Sequence, residues 1–311
     1  MLQSKKAATN LAMTQMLHGL SRDHYISSLG WKLFPWQQNV LTSRHKRKLI
    51  NGARQSGKST VVSSVPCHTA KYYPKSLSII LAPTQKQATE DILKVKEFMA
   101  SDPSYPELKR ESQEELALDN GSRILVIPAT EKSARGYSKP RVLVLDEASR
   151  IPDVVYKSGV RPMLTDNPEC ELFIISTPNG KQGFFYDAYT TSERWERYEI
   201  RSPWQVNQMD SWHLNEYMPE EEYQEIMKAR GILSWFSPRH YNMDEQEENL
   251  ESMGKQQYQQ EYCCEFVEQE DMVFSYEDIE RAFSQTCPGI DFDIADIPTI
   301  PGMGFDEAVS L

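Results

Sequence analysis

The chain has 311 residues, 39% hydrophobic and 25% charged, which suits one large or two modest packed domains rather than a disordered or collagen-like polymer. No apolar run approaches the roughly 20 residues of a membrane helix, so no span is expected. The net charge of −11 is unevenly placed: residues 1–204 carry 29 Lys and Arg against 21 Asp and Glu, and residues 205–311 carry 5 against 24, which predicts a boundary near residue 204.

The N-terminal segment, MLQSKKAATNLAMTQML, lacks an apolar core followed by a small-residue cleavage site, so secretion is not expected. Five cysteines, at 67, 170, 263, 264 and 287, show no metal-ligand spacing and fit a reducing, intracellular protein with free thiols. PWQQ at 35–38 reads on its own as a turn before a helix. The basic cluster RHKRK at 44–48 leads into the first apolar run and suits either a solvated loop or a contact to a phosphate polyanion.

Next comes NGARQSGKST. Gly52, Gly57, Lys58 and Ser59 fill every fixed place of G-x-x-x-x-G-K-[ST], with Ala53, Arg54, Gln55 and Ser56 between them and Thr60 after. In such a loop, backbone N–H groups converge on a triphosphate and the following helix adds the positive end of its dipole. Lys58 is expected on the β and γ phosphates, and the Ser59 hydroxyl on Mg²⁺. Pro66 is expected to end or kink the helix early.

Further apolar runs follow at Leu77–Ala82, Ile124–Ile127, Val142–Leu145 and Leu172–Ile175, joining Leu49–Ile50 ahead of the loop. They lack alternation and read as strands buried on both faces of a parallel sheet. Between them, Gln85–Ala100 places Ala88, Ile92, Val95 and Phe98–Met99 at helical spacing. The predicted fold class is α/β: a RecA-like P-loop NTPase with a mostly parallel sheet flanked by helices, plus a small helical lid.

VLVLDEAS, at 142–149, is an apolar strand ending in two carboxylates. Alone it reads as a solvated strand end. Beside a phosphate loop, Asp146 is expected to hold Mg²⁺ through water and Glu147 to polarise the attacking water of an ATPase.

Beyond 204 the pattern changes. PEEEYQEIMKARG, 219–231, reads as a helix with complementary end charges and a glycine stop, and 244–268 reads as helical too. The domains expected are a P-loop ATPase core over 1–204 and an acidic helical lid over 205–270. A Pro-, Gly- and Asp-rich linker over 271–311 completes the chain.

These residues resemble the large terminase subunits of tailed phages and herpesviruses, the ATPase motors that package DNA into procapsids. The likeness covers about 30–285 and rests on PWQ at 35–37, GARQSGKS at 52–59, LAPT at 81–84, SARG at 133–136, VLDEA at 144–148 and STPNG at 176–180. It implies ATP and Mg²⁺ as ligands, with Gln37 or Gln38 reading the adenine edge beside Trp36 or Phe34. It implies Ser176 and Thr177 as a motif that couples the γ-phosphate to movement. Arg135 matches the position of an arginine finger reaching a neighbouring subunit, and Arg54 competes for that role within its own subunit.

The resemblance further implies double-stranded DNA, a homo-oligomeric ring on the portal, the portal protein and the small terminase subunit as partners. It implies no membrane, and work in the host cell cytoplasm. GMGFDEAVSL at 302–311 looks like the first strand of the family's nuclease, with Asp306 as its first ligand. One strand cannot supply two-metal chemistry, so no cleavage is expected and the chain reads as the motor portion of a longer protein. Two other readings stay open. A two-core helicase would need a second α/β core, for which 205–311 lacks the apolar strands. A nucleotide-gated assembly protein would bind ATP without turnover.

Overall fold

The computed structural model describes residues 2–134, 136–191, 193–208 and 212–268. Three helices open the chain, α1 (Leu2–Leu20), α2 (Arg22–Ser28) and α3 (Pro35–Thr42), before β1 (Arg47–Gly52) and α4 (Lys58–Tyr72). Then come β2 (Leu77–Ala82), α5 (Gln85–Ala100), β3 (Leu108–Glu111), β4 (Glu115–Leu118), β5 (Arg123–Pro128) and β6 (Val142–Asp146). A short turn α6 (Asp153–Val155) runs through a π turn into α7 (Arg161–Asp166), followed by β7 (Glu171–Ser176), α8 (Gly183–Thr190) and β8 (Glu196–Arg201). The remainder is β9 (Trp204–Gln208), β10 (Trp212–Glu216), α9 (Glu220–Ala229), β11 (Ile232–Phe236), α10 (Met243–Met253) and α11 (Lys255–Glu261).

Nine strands form one sheet in the order β11-β8-β1-β7-β6-β2-β5-β4-β3, and β9 and β10 pair as a separate hairpin. From β11 to β5 every neighbour is parallel; β4 and β3 add antiparallel pairs at one edge. The apolar runs form strands because both faces are covered. Ile50, Ile80, Val144 and Ile175 pack toward α2–α5, whereas Leu49, Leu81, Leu145 and Ile174 pack toward α6–α9. Each such side chain removed from water contributes roughly 1.5–3 kcal/mol, which outweighs the poor solubility of an unalternating strand.

Three expectations change. Helix α4 continues through Pro66 to Tyr72, because its residues from Val61 to Ala70 are buried beneath the sheet and packing outweighs one lost ladder bond. The segment after 204 is not helical throughout: besides α9, α10 and α11 it holds the β9–β10 hairpin, and β11 joins the sheet in parallel register with β8, Leu233 opposite Tyr198. The helix predicted over 244–268 is two, broken at Gly254, which takes φ +78°.

The strand order positions the site. β1 and β2 are separated by β7 and β6, so α4 carries the chain across and leaves the ends of β1, β7 and β6 side by side. Asn51 lies opposite Ser176, and Asp146 opposite Ile175. The phosphate loop, the acidic pair and the Ser-Thr-Pro therefore leave adjacent strands at the same carboxyl edge, where open α/β sheets bind ligands.

Candidate functional site

The loop from Gly52 to Ser59 is shaped by its own backbone. Gln55 takes φ +59° and Gly57 φ +96°, the left-handed backbone from which anion-binding loops are built. Gly57 has no alternative: a Cβ there would come 2.9 Å from Gln37 Nε2 and 3.3 Å from the Phe34 ring. Lys58 is buried, and its ammonium donates to the Gly52 and Ala53 carbonyls at 2.7 and 3.0 Å. Burial lowers its pKa, while Glu147 and Asp146 pull the other way.

Opposite stands the acidic pair. Asp146 is buried, and burial, reinforced by the nearby charges of Asp91 and Glu147, pushes its carboxyl up to about 8. Gln87 Nε2 donates to Asp146 Oδ2 at 3.3 Å. Glu147 occupies the left-handed region at φ +46°, a strained turn for a side chain with a Cβ. Its Oε2 accepts from Ser176 Oγ at 3.3 Å and Thr177 Oγ1 at 3.5 Å. Ser149 joins the two segments, donating to the Thr177 carbonyl at 2.8 Å and lying 2.7 Å from Ser176 Oγ.

A cavity of about 480 Å³ gathers Arg54, Gln55, Ser56, Gly57, Lys58 and Ser59 on one wall with Asp146, Glu147 and Thr177 on the other. A hydroxyl and a crowded carboxylate are hard oxygen donors, so Ser59 and Asp146 fit a divalent cation such as Mg²⁺.

Several predicted residues stand behind this cavity rather than in it. Gln37 is buried, its Oε1 accepting from the Phe34 amide at 2.7 Å and its Nε2 donating to the Gly57 carbonyl at 2.9 Å. One end of its amide thus caps α3 and the other braces the loop; Gln38, the other choice, is exposed on α3. Gly52 and Ala53 carry the carbonyls that hold Lys58. Thr60 lies on the first turn of α4, its amide donating to the Gly57 carbonyl, and Ser176 supports Glu147 from below. Arg135 and Asp306 lie outside the described residues. The neighbours of Arg135 are placed: Ala134 is buried so close to Gly159 that a Cβ on that glycine would approach it to 2.5 Å.

Sequence reasoning missed others. Gln87 and Lys94 line the cavity from α5, with buried Asp91 bonded to Lys94 at 3.3 Å. Their spacing, along one flank of the apolar stripe of α5, was a readable signal. From beyond residue 204, Glu261 pairs with Arg150 at 3.6 Å and its carbonyl accepts from the Arg54 amide at 2.7 Å. Arg239 donates to the Gln55 carbonyl at 3.4 Å and stands 5.6 Å from the Phe34 ring centroid.

A parallel core with a phosphate loop between β1 and α4, and an acidic strand end one strand away, defines a P-loop NTPase fold. The sequence profile described as terminase large subunit, T4likevirus-type, N-terminal, matches residues 49–281, and the chain belongs to that family. Among curated proteins, the large terminase subunit of Thermus virus P23-45 is 26% identical over 275 residues, covering 81% of this chain and 52% of its own length. The subunit of Thermus phage G20c gives the same identity and coverage. The chain thus spans about half the length of the curated relatives it matches. Among solved structures, the large terminase ATPase domain of Thermus phage P74-26 superposes with a TM-score of 0.56 at 22% identity, covering 79% of this chain and 98% of that one. That likeness carries the fold. Among the described residues no helix is long and apolar enough to cross a membrane.

Proposed function

We propose that the chain is the ATPase part of a large terminase, hydrolysing ATP to move double-stranded DNA into a procapsid. The observation that carries this is the single cavity in which the phosphate loop meets Asp146, Glu147 and Thr177. ATP is the substrate. The loop amides cradle its phosphates, and Lys58 exchanges its two carbonyl partners for phosphate oxygens. Ser59 and Asp146 hold the Mg²⁺, which when bound neutralises charge developing on the phosphates. Glu147 orients the attacking water and takes its proton. Ser176 and Thr177, hydrogen-bonded to that carboxylate, sense whether it carries charge and pass the change to β7.

Glu261 and Arg239 give the segment beyond residue 204 direct contact with the loop. Loss of the γ-phosphate then shifts the segment and whatever grips the DNA. The grip is on phosphates, with strong salt dependence and weak sequence preference. Subunits ring the portal in the host cytoplasm, with the portal protein and small terminase subunit as partners. Arg135 of one subunit or Arg54 of the same one completes the charge stabilisation. Among the described residues there is one nine-stranded sheet and a hairpin, so the second core of a two-core helicase is not among them. Phosphate release from Mg²⁺–ATP tests the reading: Lys58→Ala should lower it at least about a hundredfold, and turnover near the wild-type rate would refute it.

A further inference from the structure

At the other end of the sheet lies a second cavity with a different character. β1 begins at Arg47 and ends at Gly52, so at about 3.3 Å per residue its ends are roughly 16 Å apart. Beside Arg47 opens a cavity of about 380 Å³, walled by Arg161, Arg194, Tyr156, Trp195 and Leu164. That volume falls within the range of roughly 300–1,000 Å³ typical of small-ligand sites.

Its charge is one-sided. Its lining holds no acid among the described residues, and two acids of this edge are engaged elsewhere, Glu171 by Arg22 at 2.7 Å and Lys48 at 3.5 Å, and Glu169 by Lys46 at 3.1 Å. Lys46 and Lys48 of the 44–48 cluster are thereby paired with acids, and only Lys48 is buried. Arg47 is the one at the cavity, and its Nη1 is buried without an acceptor. Neither Arg47 nor Arg161 forms an ion pair with an acid among the described residues. Three guanidinium groups carry about fifteen N–H donors, far more than the roughly four lone-pair sites of one carboxylate. A tetrahedral phosphate offers enough acceptors. Trp195 adds aromatic surface on which a base stacks, beside Tyr156, one face of which already stacks on Phe184 at 4.3 Å. An adjoining cavity of about 440 Å³ shares Tyr156, Arg161 and Trp195 and contains Asp187, so it suits an uncharged sugar or base better than a second phosphate.

We propose that this cavity is a second phosphate-recognition site, taking one nucleotide unit with its phosphate among Arg47, Arg161 and Arg194 and its base against Trp195 and Tyr156. The unit comes from a free mononucleotide or from a nucleic-acid strand. The inference does not rest on the phosphate-loop reading, because it concerns the opposite edge of the sheet.

The test is equilibrium binding of thymidine monophosphate and of a labelled short oligothymidylate to the purified chain and to the double variant Arg161→Gln/Arg194→Gln. Both arginines are exposed, so the melting temperature should not move. The variant should lose about tenfold or more in affinity, and for the strand the slope of log K against log salt should flatten by about 0.7 per lost contact. Saturation by the mononucleotide identifies the free ligand as the source; binding of the oligonucleotide alone identifies the strand. The proposal fails if thymidine binds as well as its monophosphate, if a short polyglutamate displaces either ligand more effectively than phosphate does, or if wild type and variant do not differ.

Discussion

Ser149 Oγ donates a 2.8 Å hydrogen bond to the carbonyl of Thr177, tying the strained turn that carries Glu147 to the end of β7. The same hydroxyl lies 2.7 Å from Ser176 Oγ, whose own bond to Glu147 is 3.3 Å. Ser149 touches the two hydroxyl-bearing segments rather than the cavity. Ser149→Ala should therefore cost on the order of 1–2 kcal/mol of stability. It should lower ATP turnover more than ATP affinity. Chemical denaturation and paired kcat and KM measurements check this; a rise in KM with kcat unchanged would assign Ser149 to binding instead.

Asp146 links function to instability. Its folded pKa, about 8, lies above the ordinary carboxylate value of 3.8, chiefly through burial, then through Asp91 and Glu147. The fold thus favours the neutral acid, so this group's contribution to stability is complete below the unfolded pKa and is lost as pH rises from about 4 through 8. Asp146→Asn should raise the melting temperature of the ligand-free chain at pH 8 and leave it little changed at pH 4. It should also remove the further rise that Mg²⁺–ATP gives the wild type. A variant less stable than wild type at pH 8 would contradict the account.

The sheet was largely readable because its central strands carry apolar runs that need cover on both faces. β8 was not, since its sequence ERYEIR looks like surface. Its Glu199 is buried where the hydroxyls of Tyr189 and Tyr223 donate to it, and Arg201 lies over the Tyr217 ring at 4.2 Å. β11 alternates buried and half-buried residues in five positions, too few to separate from a loop by pattern. The phosphate loop was legible because its chemistry is contiguous. Glu261 and Arg239 reach the loop only through tertiary folding, and neither has a local signature. Gln37 shows the reverse: a residue conspicuous in its motif spends its polar groups on architecture.

The proposed finger calls for a mixing experiment. Arg135→Ala and Glu147→Ala chains are each expected to be inactive, one lacking the donated arginine and the other the catalytic carboxylate. Mixed assemblies contain some interfaces with both intact, so ATP turnover should exceed that of either parent. Mixtures that never do so would leave Arg54 as the arginine that serves its own site.

Glu147→Gln keeps the shape of the side chain and its contact to Ser176 while removing the base. Measuring ATP binding and phosphate release in parallel on this variant addresses the central claim most directly. The account predicts ATP affinity within about threefold of wild type and turnover reduced by roughly 10²–10⁴. Wild-type turnover in Glu147→Gln, with no other change, would contradict it.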